Sequence, residues 1–351
     1  MRKGYLVLED GHAFEGLRFG SEGCPIGELV FTTGMGGYLE TVTDPGFAGQ
    51  IVMQTYPLIG NYGVINEDLE GACRLRGYVV REICDTPSNF RTEGDLETFL
   101  KEQGIPGICG VDTRELTRIL RENGTMNAMI CDEIPADLTA VKAYRVHETV
   151  EDKAPVVYPA EGEERFRVTF VDYGTKKSII HQLTKRGCAV TVVSGNTKAE
   201  EILAGKPDGV LLSNGPGDPA DYTAQVEEVK KLMGQVPVFG IGLGHQLCAL
   251  AQGARTVRIK YGRRGANQPV RDLAGTRTYI TGQNHGYTVD SDSVTVGKIR
   301  YRNVNDGTCE GIDYPELRAY TIQFQPESCT DVKGVCFLFD RFIDLMKGGN
   351  L

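Results

Sequence analysis

The stretch Val236–Gly253, VPVFGIGLGHQLCALAQG, decides how the chain is read. It opens as a short apolar run, Val238-Phe239-Gly240-Ile241, and turns through Gly240, Gly242 and Gly244. A helix-like pattern then runs from Leu243 to Ala251, and Gly253 stops it. Strand, sharp glycine corner and helix together make the shape of a nucleophile elbow. The central residue of an elbow holds the attacking atom in a strained turn at the N-terminus of a helix. Here that residue is Gly242, which has no side chain to attack with.

Working outward, the chain from Phe166 alternates strand and helix. Val168–Val171, Ala189–Val193 and Gly209–Leu212 read as strands; Thr175–Arg186, Lys198–Ala204 and Gln225–Met233 read as helices. Arg255–Ile259, Arg277–Ile280, Ser293–Val296 and Ala319–Gln323 look like further strands, and Val332–Met346 like a final amphipathic helix. Such alternation implies an α/β fold with a mainly parallel sheet flanked by helices. Sites in such sheets lie beyond the C-terminal ends of the strands. Two glycine-rich turns fall there, SNGPGDP at Ser213–Pro219 and the elbow itself.

The part before about Val146 is β-rich and mixed with helices. Tyr5–Leu8 and Leu29–Thr32 read as strands, with turns at Thr33–Tyr38 and Thr43–Gly46. Leu96–Glu102 reads as a helix. A stronger helix runs Thr113–Asn123, with Asp112 as its cap, Glu115 placed as in a capping box, and Gly124 at its end. The acidic, proline-containing stretch 148–165 reads as a linker. The expected organisation is thus an N-terminal domain over 1–147, a linker over 148–165 and a second domain over 166–351.

Composition narrows the function. The chain has 351 residues, enough for two domains. Its net charge of −9 argues against a nucleic-acid or anionic-membrane partner. No apolar stretch is long enough to span a bilayer, and the N-terminus has no apolar signal region, so a cytoplasmic protein is expected. The ten cysteines show no zinc spacing and read as reduced, mostly core-packed thiols, with no metal site expected.

Neither glycine turn fits a phosphate loop or the dinucleotide spacing. Oxyanion binding by backbone N–H groups is the better reading. Of the five histidines, His12, His147 and His181 read as surface or packing residues. His245 follows the elbow and His285 sits in a Gln-Asn-His-Gly turn, but no thiol or hydroxyl at the corner needs a base. Cys248 lies nearly two helical turns beyond Gly242 and reads as a core residue. Cys329 is a less remote thiol.

The motifs SNGPGDP, G-I-x-L-G-H-Q, Q-N-H-G and Q-x-x-P-E resemble the triad-type, class I glutamine amidotransferases. The N-terminal motifs narrow the likeness. LVLEDG at Leu6–Gly11, Gly37-Tyr38-x-Glu40 with Thr43-Asp44-Pro45, Ile59-Gly60-Asn61, Ser88-Asn89-Phe90-Arg91 and Asp112-Thr113-Arg114 resemble the small subunit of carbamoyl-phosphate synthetase. That resemblance implies glutamine hydrolysis in this chain and ammonia delivery to a large subunit, which carries ATP and metal ion; no cofactor is expected in this chain. It places Gly215, Gly217, Leu243, Gln246, Asn284, Gly286 and Tyr287 against glutamine, with an oxyanion hole from Leu243 N–H and the Gly215–Gly217 turn. Glu327 matches the acid of the triad.

The departures from the family pattern matter as much. Gly242 stands at the nucleophile position, Gln325 at the histidine position, and Gly46 where a serine usually reaches the glutamine. Arg263, Arg264 and Gln268 stand where histidines are common. The expectation is a small subunit whose own glutaminase is lost, serving carbamoyl phosphate synthesis for pyrimidines and arginine in a structural or regulatory role. Glutaminase retained through Cys248 or Cys329, or a non-catalytic glutamine-binding or interaction module, are the alternatives.

Overall fold

The computed structural model describes residues 2–146, 150, 152–327 and 334–349; His147 and Cys329 lie outside them. The chain divides into two compact units, Met1–Glu148 with Lys260–Gly265, and Thr149–Ile259 with Ala266–Leu351.

In the first unit, strands close into a barrel in the order Arg2–Leu8, Ala13–Gly20, Pro106–Cys109, Gly77–Val79, Gln50–Gln54, Ile26–Thr32, Met126–Cys131 and back to the first. Period-2 alternation feeds two cores. Leu29, Phe31, Ile51, Met53, Val79 and Ile108 join one, and the intervening Val30, Val52 and Tyr78 join the other. The helices Leu96–Glu102 and Thr113–Asn123 form over the expected residues. Asp112 caps the second, accepting from the N–H groups of Arg114 (3.1 Å) and Glu115 (3.0 Å). Glu115 does not close the capping box. Its carboxylate pairs with Arg118 at 2.6 Å, a charged donor that outcompetes a neutral backbone N–H.

The second unit is built on a sheet whose centre is parallel: Cys188–Ser194, Phe166–Asp172, Gly209–Leu212, Val238–Ile241 and Ala319–Ile322. Antiparallel strands Cys309–Tyr314, Lys298–Asn303 and Thr256–Asp272 extend it on one side, with Thr278–Val289 at the edge. Both faces are covered, so the central strands are mainly apolar, with Val210, Leu211 and Leu212 buried in succession. Val171, Val210, Leu212 and Val238 face the helices Ala199–Ala204, Thr223–Leu232 and Leu243–Ala251. Phe170, Leu211 and Phe239 face Lys177–Thr184 and Phe337–Met346.

Several expectations are corrected. Within the supposed linker 148–165, Val156–Tyr158 forms an edge strand antiparallel to Cys188–Ser194. Apolar β-branched residues there find an open sheet edge, which composition alone does not reveal. Ser293–Val296 is not a strand. Asp290 accepts from Asp292 N–H, and Ser293 Oγ donates to Asp290 O, so local bonds make a 3-10 turn at Ser291–Ser293. The strand lies instead at Lys298–Asn303. Gln-Asn-His-Gly is not a turn but lies inside the strand Thr278–Val289. Among the described residues, eight cysteines are free thiols, five of them buried. Among the described residues, no helix is long and apolar enough to cross a membrane.

Candidate functional site

Four parallel strands of the second unit end side by side, at Asp172, Leu212, Ile241 and Ile322. The turns that follow carry most of the residues singled out above. Their backbones are tied together: Tyr173 N–H donates to Ser213 Oγ (2.8 Å), Gly244 N–H to Ser213 O (2.9 Å) and Gly242 N–H to Ile322 O (2.9 Å).

The elbow forms as its sequence requires. Val238–Ile241 is a buried strand and Leu243–Ala251 a buried helix, with Gly242 between them at φ 57° and ψ −108°. That conformation favours glycine; another residue held there costs about 1–3 kcal/mol. The flanking glycines serve close packing instead. A Cβ on Gly244 would lie 2.4 Å from Leu212 O, and one on Gly240 would lie 2.8 Å from Gly244 O. A Cβ on Gly242 would meet Asn214 Cβ at 3.0 Å and Gln323 O at 4.0 Å. The position of the attacking atom is therefore walled by the turns after two neighbouring strands.

Gly215 packs on the start of the same helix, where a Cβ would lie 2.8 Å from Leu243 Cδ2 and from Tyr173 O. Gly217 follows at φ 84°. Leu243 opens the helix, and N–H groups in a first turn have no intrahelical acceptor. Gln246, one turn on, donates from Nε2 to Tyr287 O (2.8 Å) and Gln323 Oε1 (2.9 Å). This joins the helix to the strand that carries Asn284, Gly286 and Tyr287, all partly exposed. Gln325 bridges to the same strand through its N–H and Gly282 O (2.9 Å). Gly46 belongs to the first unit, where its N–H donates to Asp44 Oδ1 (2.8 Å) in a 3-10 turn.

Glu327 is buried, and its Oε1 accepts from Lys176 Nζ at 2.9 Å. Lys176 was missed from sequence. The available signal was a lysine directly after the Asp172–Thr175 turn and directly before an apolar helix, where it is 4% exposed. Gln323 and Gln283 were missed as well; both are buried amides, Gln323 directly after the strand Ala319–Ile322 and Gln283 within the strand Thr278–Val289.

The histidines and thiols separate cleanly. His245 is fully buried, its Nδ1 2.7 Å from Thr321 Oγ1, and burial, aided by His285, lowers its pKa to about 3. It is a neutral core residue, not a base. Cys248 is fully buried and its thiol is pushed well up by desolvation. Among the described residues, no group of three or more His, Cys, Asp or Glu is arranged to hold a metal.

Two family models match the chain: "Glutamine amidotransferase class-I" over residues 169–345, and "Carbamoyl-phosphate synthase small chain, CPSase domain" over residues 6–130. The second unit is a class I glutamine amidotransferase domain. The carbamoyl phosphate synthase small chain of Listeria monocytogenes is 49% identical over 359 residues, covering 99% of this chain and 98% of the relative. That of Oceanobacillus iheyensis is 45% identical over 361 residues, covering 100% and 98%. A solved structure, a putative GMP synthase component from Thermoplasma acidophilum, aligns with 52% of this chain and 94% of its own at 20% identity and a TM-score of 0.46. The chain as a whole belongs to the carbamoyl phosphate synthase small chain family.

Proposed function

We propose that this small chain no longer hydrolyses glutamine and supports a carbamoyl phosphate synthase that draws on free ammonia. The observation that carries the reading is Gly242: the elbow keeps its backbone, and its centre holds no atom that can attack an amide. Gln325 at the histidine position removes the base as well, since a carboxamide does not accept a proton near neutral pH. When members of such a triad are lost, what remains is binding and oxyanion stabilisation.

In this reading Glu327 is the surviving acid of the triad. Leu243 N–H and the Gly215–Gly217 turn are the surviving oxyanion donors. Gly215, Gly217, Leu243, Gln246, Asn284, Gly286 and Tyr287 form a pocket that still admits glutamine. The partner is a synthetase large subunit, which supplies the ATP and metal sites. The work of the small chain is to stabilise that subunit or couple its states, in the service of pyrimidine and arginine synthesis. A substitute thiol finds no support at Cys248, which is buried in the core.

The test is to purify the chain with its large subunit, then compare glutamine with ammonium as nitrogen donor. Ammonium-dependent synthesis without a glutamine-dependent rate is expected. Glutamine-dependent synthesis that a thiol alkylator abolishes would overturn the proposal.

A further inference from the structure

A run of buried hydrogen bonds links the pocket to a carboxylate outside the triad and the oxyanion turns. Glu310 lies on the strand Cys309–Tyr314 and is 0% exposed. Its Oε1 accepts from Asn303 Nδ2 (3.1 Å) and its Oε2 from Gln283 Nε2 (3.0 Å). Gln283 Oε1 lies 3.0 Å from His285 Nε2, and His285 Nδ1 lies 2.8 Å from Tyr287 O. That carbonyl also accepts from Gln246 Nε2 (2.8 Å). Gln283, His285 and Tyr287 alternate along one strand, so the pleat brings them to the same side.

The direction of every bond in this run follows from its first member. Both Glu310 oxygens accept from side-chain amides, so Gln283 turns its NH2 to Glu310 and its oxygen to His285. His285 then faces two acceptors, a side-chain amide oxygen and a backbone carbonyl, and satisfies both only by donating from both ring nitrogens. We propose that Glu310 is a positioning residue: through Gln283 it holds His285 as a double donor, which fixes the Tyr287 carbonyl against Gln246 and so shapes the glutamine pocket. Only the last step rests on the proposed function; the orientation of Gln283 and His285 does not.

Glu310→Gln separates this from simple filling of the core. A glutamine has the same shape but cannot accept from both Asn303 and Gln283. Asn303 Oδ1 is already held by Asn305 N–H (2.9 Å), so it is the Gln283 amide that turns over, and His285 then accepts at Nε2 and donates only at Nδ1. The experiment is nitrogen NMR of the full chain with 15N-labelled histidine, the His285 signals assigned by His285→Asn. Both His285 ring nitrogens are expected to be protonated in the unaltered chain and only one in E310Q. A singly protonated ring in the unaltered chain overturns the proposal without any variant at position 310. An unchanged ring in E310Q overturns it equally.

The consequence for the pocket is read by calorimetry with glutamine. Loss of one well-oriented contact predicts roughly tenfold weaker binding in E310Q, with partial recovery in Glu310→Asp. A switched ring with unaltered affinity overturns the positioning role. If the unaltered chain does not bind glutamine, the pocket reading and the positioning step both fall, while the NMR result still decides the link between Glu310 and His285.

Discussion

Lys176 Nζ and Glu327 Oε1 meet at 2.9 Å in the interior of the second unit, with side-chain exposures of 5% and 1%. The pair ties the turn after one parallel strand to the segment after another. Removing one partner from a buried ion pair costs about 3–5 kcal/mol. Lys176→Met or Glu327→Gln should each lower stability by that order. Lys176→Met with Glu327→Gln should cost much less than the sum of the single losses. Denaturant unfolding of the four proteins closes the cycle; strictly additive losses would show that the pair is not coupled.

Gly242→Cys tests the dismantled triad directly. The new side chain must sit at φ 57° and press on Asn214 Cβ at 3.0 Å, so a loss of about 1–3 kcal/mol is expected. Glutamate release should stay at background in this variant, because no base stands at position 325. Gln325→His alone should also be inactive. Only the double variant is expected to hydrolyse glutamine measurably, and equal activity in the single cysteine variant would refute the assignment of Gln325.

His245 predicts a pH-dependence of stability. Its pKa in the folded chain is lowered to about 3 from 6.5. Between those values the unfolded chain binds the extra proton and the folded chain does not, so stability rises with pH through this window. The contribution is complete above pH 6.5 and is lost as pH falls towards 3, by roughly 1.4 kcal/mol for each pH unit. His245→Gln should flatten the dependence between about pH 6.5 and 5. An unchanged slope would mean that the ring is not held neutral.

Cys248 offers a control on any residual glutaminase. Burial raises its thiol and removes it from solvent, so it should resist alkylation and glutamine-analogue electrophiles in the folded chain. Mass mapping of labelled peptides before and after unfolding checks this. Labelling of Cys248 under native conditions at the rate of an exposed thiol such as Cys24 would revive the substitute-nucleophile reading.

What the sequence alone determined is local. The elbow was legible because an apolar run, a glycine needing positive φ and a helical pattern lie within one short window. Helix Thr113–Asn123 was legible because Asp112 and Gly124 mark its ends. The strand-end turns were legible because each follows a short, mainly apolar run, as strands covered on both faces require. Tertiary structure alone decided the rest. Lys176 and Glu327 are 151 positions apart, and no local pattern announces that they pair. Nor does any spacing show that His245 faces Thr321, or that Gln283 joins Glu310 to His285. Closure of the barrel and the edge strand at Val156–Tyr158 likewise depend on which edges remain open after the sheets assemble. Local backbone preference is written in neighbouring residues. The state of a buried polar group is set by whatever the fold brings against it.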